Sequence, residues 1–183
     1  MADLPFFTIG HSTRTIEDFA AILEKARVEI VVDVRTVPRS RTNPQYNRDT
    51  LPDMLAPYQI GYEPIGELGG LRSKARAVPD EINGFWQNRS FHNYADYALS
   101  ESFVHGLERL LALGAKRRCA LMCAEAVWWR CHRRIIADHL ISRGREVFHL
   151  MDGAHEQPAK LTPGAVARAD GSVVYPAAAQ SNA

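Results

Sequence analysis

The sequence predicts an α/β fold, a three-layer α/β/α sandwich around a mainly parallel central sheet. Three observations carry that expectation. Short apolar, β-branched runs recur along the chain, stretches of helical period separate them, and glycines or capping residues stand at the joins.

Phe6 to Ile9 is an apolar strand broken by Gly10, and Thr15 with Asp18 three residues later resembles a capping box. Ile16, Phe19, Ala20 and Leu23 then recur at helical spacing to about residue 27. Ile30, Val31, Val32 and Val34 read as a strand buried on both faces. Residues 36 to 48 read as a loop, after which Asp49 or Thr50 caps a short helix over Leu51 and Leu55. Gly61 to Ile65 is a third strand. Residues 66 to 97 mix glycine, proline and aromatics without a period, which predicts a long functional loop or lid. Phe103, Leu107, Leu110 and Leu111 form a helical stripe that starts near Ser100 and stops at Gly114, and Cys119 to Met122 follow as a fourth strand. The next helix is expected to begin near Cys123 and to end at Gly144. Glu146 to Leu150 is a strand, Asp170-Gly171 marks a hairpin, and residues 177–183 read as a frayed tail. There is no repeat, so residues 1–183 are expected to form a single domain.

Composition narrows the class. At 183 residues, with 46% hydrophobic and 23% charged, the chain has enough apolar content for a packed core. Met1 to Ile30 lacks a signal-peptide pattern and no run is long enough to span a bilayer, which predicts a cytoplasmic protein with no membrane partner. Three cysteines, an odd number, predict reduced thiols rather than a disulfide framework. A net charge of +1 leaves any affinity for anions to a local patch.

Parallel sheets gather their strand-to-helix loops at one edge, so Gly10-His11-Ser12, Asp33 with Arg35, and Cys123-Ala124-Glu125 are expected to be neighbours. The stretch from Cys119 to Arg134 is the richest. Cys131 lies near a helix start and is flanked by Arg130, His132, Arg133 and Arg134, which would stabilise a thiolate; the alternative is a small buried residue. Cys123 suits a resolving thiol, a ligand or packing, and Cys119 the core. Glu125, Asp33 and His11 are available for acid/base work. Asp33 and Arg35 share one side of their strand, as a site or as an internal salt bridge. With Arg39, Arg41 and Arg72 nearby, arginines outnumber the local carboxylates, which points to an anionic ligand. Ser12 binds that anion or caps the first helix. One of Trp128 and Trp129 is expected to face the crevice and stack on a base. A metal set of Cys123, Glu125, Cys131 and His132, with or without His11, is disfavoured by ligand spacing. A phosphatase-type loop is disfavoured too, since position 129 is Trp and position 137 is Ala.

The motifs Thr8-Ile9-Gly10-His11-Ser12, Asp33-Val34-Arg35, Pro38-Arg39-Ser40-Arg41, Leu68-Gly69-Gly70, Leu121-Met122-Cys123-Ala124-Glu125 and Cys131-His132-Arg133-Arg134, in this order, resemble the family named domain of unknown function 488. Leu161-Thr162-Pro163-Gly164-Ala165 and Tyr175-Pro176 resemble its ending. The resemblance implies that these positions line a common site, which adds Ser40, Gly69, Gly70, His132 and Arg133 to the binding set.

The expected function is an enzyme acting on a phosphate-bearing, nucleotide-like or nucleic-acid substrate, with Cys131 as nucleophile or polarising group. Its alternatives are a non-catalytic nucleic-acid-binding or regulatory module, or a metal-dependent enzyme using Cys123, Glu125 and His132. The expected partner is an anionic small molecule or nucleic acid.

Overall fold

The computed structural model describes residues 2–178. Its β-branched and apolar runs form β1 (Phe6–Gly10), β2 (Ile30–Asp33), β3 (Gly61–Pro64), β4 (Cys119–Cys123) and β5 (Val147–Leu150), all pairing in parallel. A short antiparallel strand, β6 (Glu156–Pro158), closes one edge and gives the order β3-β2-β4-β1-β5-β6.

Alternation along each strand sends side chains to two separate cores. On one face Phe7, Ile9, Val31, Ala120 and Met122 pack under α1 (Ile16–Lys25) and α2 (Leu51–Leu55). On the other, Val32, Val34, Cys119, Leu121 and Cys123 pack under α3 (Arg89–Tyr97), α4 (Glu101–Gly114) and α5 (Arg133–Ile141). The three-layer α/β/α sandwich is therefore the observed architecture. A small antiparallel ladder, β7 (Val166–Ala167) with β8 (Val173–Val174), forms the expected hairpin. No helix among the described residues is long and apolar enough to cross a membrane.

The strand order positions the site. The central strands β1 and β4 are neighbours, but β1 leads into α1 on one face and β4 leads toward α5 on the other. Where adjacent connections diverge in this way, a crevice opens beyond the carboxyl ends of the strands. Gly10 and Cys123 are paired at that point.

Several local expectations are corrected. Thr15 caps α1, its hydroxyl accepting from the Asp18 amide, whereas Ser12 is no cap and adopts φ 48° in the turn before it. Thr50 precedes α2 but makes no capping bond; Pro52 in the first turn removes a donor there. Residues 66–97 are not an open lid, because Asn88 accepts from the Ser90 and Phe91 amides and starts α3, whose Tyr94 and Ala95 are fully buried. The helix after β4 does not begin near Cys123. It begins at Arg133, after a loop containing one turn at Trp128–Arg130, so Cys131 and not Cys123 stands at its start. Of the tail expected at 177–183, positions 179–183 lie outside the described residues.

Candidate active site

The loop after β4 folds back over β1. His11 and Ser12 extend the ladder, their amides donating to the Cys123 and Ala124 carbonyls at 2.9 and 3.0 Å. The Glu125 carbonyl then crosses directly over Gly10, where a Cβ would stand 1.8 Å from it. Only glycine permits this approach.

Arg133 fixes the loop from beneath. Its side chain is 1% exposed, and its Nη2 donates to the Glu125 carbonyl at 2.7 Å, its Nη1 to Thr8 Oγ1 at 3.0 Å and its Nε to Cys131 Sγ at 3.4 Å. The Thr8 hydroxyl also shares a hydrogen bond with His149 Nδ1 at 2.7 Å, and Trp128 lies flat on His149 with ring centroids 4.4 Å apart. Arg133 has no carboxylate partner among the described residues, although a buried guanidinium requires a counter-charge. The acidic groups against it are the thiols of Cys131 and Cys123.

Those two sulfurs are 2.7 Å apart. Burial pushes the Cys123 thiol well above its ordinary value, and its hydrogen bond to Cys131 adds to the rise. Burial also opposes a thiolate at Cys131. There it is outweighed by the Cys123 hydrogen bond, by His132 and by Arg133, which hold Cys131 well below the usual thiol range. Of the two, Cys131 beside Arg133 is the thiol favoured to ionise, and Cys123 is the one favoured to keep its proton.

His132 completes the arrangement. Its Nδ1 is 3.5 Å from Cys131 Sγ, and its Nε2 donates to the Val34 carbonyl at 2.7 Å. The Val34 bond therefore fixes the tautomer that leaves Nδ1 to exchange a proton with the sulfur. Tyr94 packs edge-on against the imidazole, and Gly70 covers its other side, where a Cβ would stand 2.5 Å from Nδ1.

Cys131, Cys123 and His132 line a pocket of about 330 Å³. Glu125, Arg35, Arg39 and Arg130 contribute its charged wall, and Val37, Leu71 and Phe91 its apolar one. The guanidinium groups of Arg39 and Arg130 make no hydrogen bond or ion pair among the described residues, and both residues are exposed. Among the described residues, the Glu125 carboxylate accepts only from the Val127 amide, at 3.3 Å.

Other candidates have structural partners. Asp33 accepts from the Arg35 amide, Nε and Nη2 and from the Tyr62 hydroxyl, so Asp33 and Arg35 form the internal salt bridge. His11 donates from Nδ1 to the Ser12 carbonyl, and its Nε2 faces Arg35 Nη1 at 3.3 Å. It stacks on Tyr46, and burial is the chief cause lowering its pKa to about 4. Neither Asp33 nor His11 lines the pocket. Arg72 bonds the Gly66 and Gly69 carbonyls and lies over Tyr97, Ser40 receives the Asn43 amide, and Gly69 passes against Thr36. Ser12 and Arg41 do not line the pocket. Neither indole faces it: Trp128 points toward His149 and Gln157, and Trp129 is 45% exposed. No three His, Cys, Asp or Glu side chains among the described residues form a metal-holding group.

Sequence reasoning did not place Val37, Leu71, Phe91 or Arg130 in the binding set. For the first two a signal existed, since each is a lone apolar residue in a polar loop and each stays exposed, at 57% and 74%. Arg130 adjoins Cys131 in the same charged run. Phe91 had no clear signal, because the helix that carries it was hidden.

A family model described as domain of unknown function DUF488 matches residues 15–140. That span holds the motifs from Asp33 to Arg134 and leaves out those at Thr8–Ser12 and beyond Leu161. Neither the curated proteins nor the solved structures give a match.

Proposed function

We propose that this chain, which belongs to the DUF488 family, is an enzyme in which the Cys131 thiolate attacks a small anionic substrate held by Arg39 and Arg130. One observation carries the reading: a buried guanidinium, Arg133, whose acidic neighbours among the described residues are two thiols, both at a pocket wall. A cation placed to balance a thiolate is the usual means of making a cysteine nucleophilic at neutral pH.

The roles follow from contact. Cys131 supplies the nucleophile, and His132, oriented by Val34, moves the proton to and from it. Glu125 lies on the same wall, free to act as general acid or base toward the departing group. Asp33 and His11 are positioning residues, holding Arg35 at the edge of the pocket. A volume of about 330 Å³ supports a small phosphate- or carboxylate-bearing molecule rather than a nucleic-acid strand. A purely nucleic-acid-binding surface has less support, because Arg35, Arg72 and Arg133 are engaged within the protein.

The test is protection. Native protein is screened against phosphate- and carboxylate-bearing metabolites for slower alkylation of Cys131 by iodoacetamide. Protection that is lost in the Arg39→Ala/Arg130→Ala variant is the expected result. If neutral compounds protect as well as anions, or the double variant is protected equally, the assignment of the anion site is wrong.

A further inference from the structure

We infer that Cys131 and Cys123 together act as a two-electron thiol pair, reducing small carboxylate-bearing disulfides and closing into a disulfide of their own. The inference rests on the reading of Cys131 as nucleophile and adds a second function at the same site.

The geometry of the two sulfurs carries it. At 2.7 Å they are closer than separate sulfur atoms ordinarily pack, yet longer than the roughly 2.05 Å of a bond. They lie on different elements, Cys123 at the end of β4 and Cys131 at the start of α5, and the loop between them is pinned by Arg133. Both residues line the pocket although they are almost fully buried. Their asymmetry is that of an attacking and a resolving thiol: His132 and Arg133 contact Cys131, whereas Cys123 retains its proton and donates it toward Cys131 or the Glu125 carbonyl.

The substrate class follows from the walls. Arg39 and Arg130, unpaired among the described residues, line the same pocket as Cys131, and Glu125 there is a carboxylate with one weak partner among them. Amino-acid or peptide disulfides carry carboxylates and ammonium groups together, which complements this rim.

The exchange balances without a further reagent. The Cys131 thiolate attacks one sulfur of the substrate; a mixed disulfide forms, the substrate S–S bond breaks, and the first thiol leaves with the proton shared between Cys131 and His132. Cys123 then attacks the Cys131 sulfur, the mixed disulfide breaks, and the second thiol leaves with the Cys123 proton. One disulfide is reduced by two electrons, and two protein thiols are oxidised. An added dithiol reverses the last state by the same exchange.

Reduced protein is mixed anaerobically with glutathione disulfide, and released thiol and intact mass are followed. Wild type is expected to release two glutathione thiols per chain and to lose two hydrogens. Cys123→Ser should release one and keep a glutathionyl group on Cys131, while Cys131→Ser should release none at that rate. Arg39→Ala/Arg130→Ala should slow the reaction with glutathione disulfide roughly three- to tenfold more than it slows the reaction with bis(2-hydroxyethyl) disulfide. A lasting glutathionyl adduct on wild type, or two thiols released by Cys123→Ser, overturns the proposal. If Cys131 alkylates readily but no internal disulfide closes, the redox step fails and the nucleophile stands. If Cys131 also resists alkylation, both fail.

Discussion

The Cys131 sulfur lies 3.5 Å from Nδ1 of His132, while the other nitrogen of that ring is held 2.7 Å from the Val34 carbonyl at the end of β2. The neighbouring residue is thus a fixed base rather than a passing surface group. His132→Ala removes both the proton acceptor and the cation beside the thiolate. Alkylation of Cys131 at about pH 6 should slow by roughly tenfold or more, the effect of removing an opposite charge within about 4 Å. An unchanged pH profile would show that Arg133 alone sustains the thiolate.

Gly70→Ala tests the same contact from outside. The new methyl would stand 2.5 Å from Nδ1 and 2.9 Å from Cε1 and Cγ of His132, so the ring must turn away from Cys131 or the loop must move. Overpacking of this kind costs about 1–3 kcal/mol. Urea denaturation should register that loss, and alkylation of Cys131 should slow as it does for His132→Ala. A variant with wild-type stability and wild-type thiol reactivity would mean the close approach has no role.

Asp33→Ala leaves Arg35, itself 8% exposed, without its carboxylate. Removing one member of a buried ion pair costs about 3–5 kcal/mol. Because Arg35 also meets His11 and the Tyr46 carbonyl, the loss should loosen the residues around 46 as well. Hydrogen exchange and the urea midpoint report it; a loss below about 1 kcal/mol would place the pair among weak surface contacts.

Buried imidazoles set the acid side of stability. Burial is the largest cause in each case, lowering His11 to about 4 and His139 and His149 to about 3. Unfolded histidine titrates near about 6.5, so below that pH the unfolded chain takes up protons that the folded chain refuses. Their contribution is fully present above about pH 6.5 and is lost as pH falls toward 3 to 4, at up to about 1.4 kcal/mol per pH unit for each ring. Asp138 works in the opposite sense, since burial raises its pKa, but it is one group against three. The urea midpoint should fall between pH 7 and pH 5, and His149→Phe, which keeps a ring under Trp128, should reduce the fall by roughly a third. A midpoint that holds steady between those pH values would contradict the assignment.

The sandwich was legible because Ile30 to Val34 and Cys119 to Met122 are apolar on both strand faces, a pattern that requires helices on either side. Elements held by few apolar contacts were not legible. The helix Arg89–Tyr97 fully buries little beyond Tyr94 and Ala95 and announces itself mainly through the Asn88 cap, and β6 is exposed along its length. The convergence of the Asp33, Gly70, Cys123 and Cys131 regions followed from topology alone. What each arginine does there did not, because Arg35, Arg39, Arg72 and Arg133 look alike in sequence. The partner each side chain folds onto decides its role, and residue type does not reveal it: Asp33 for one, the Gly66 and Gly69 carbonyls for another, a thiol for a third, and solvent for Arg39. The stacking role expected of Trp128 failed for the same reason, since His149, distant in sequence, lies beneath it.

The charge state of Cys131 underlies the whole account, and the pH dependence of its alkylation in the native protein measures it directly. Each cysteine is followed by mass spectrometry after brief exposure to iodoacetamide between pH 5 and 9. Cys131 should react first, with a midpoint well below the ordinary thiol value of about 8.5. Cys119, which burial pushes up to about 12, and Cys123 should stay unmodified over that range. Labelling of Cys131 only after denaturation, or a midpoint at or above the ordinary value, would contradict the account.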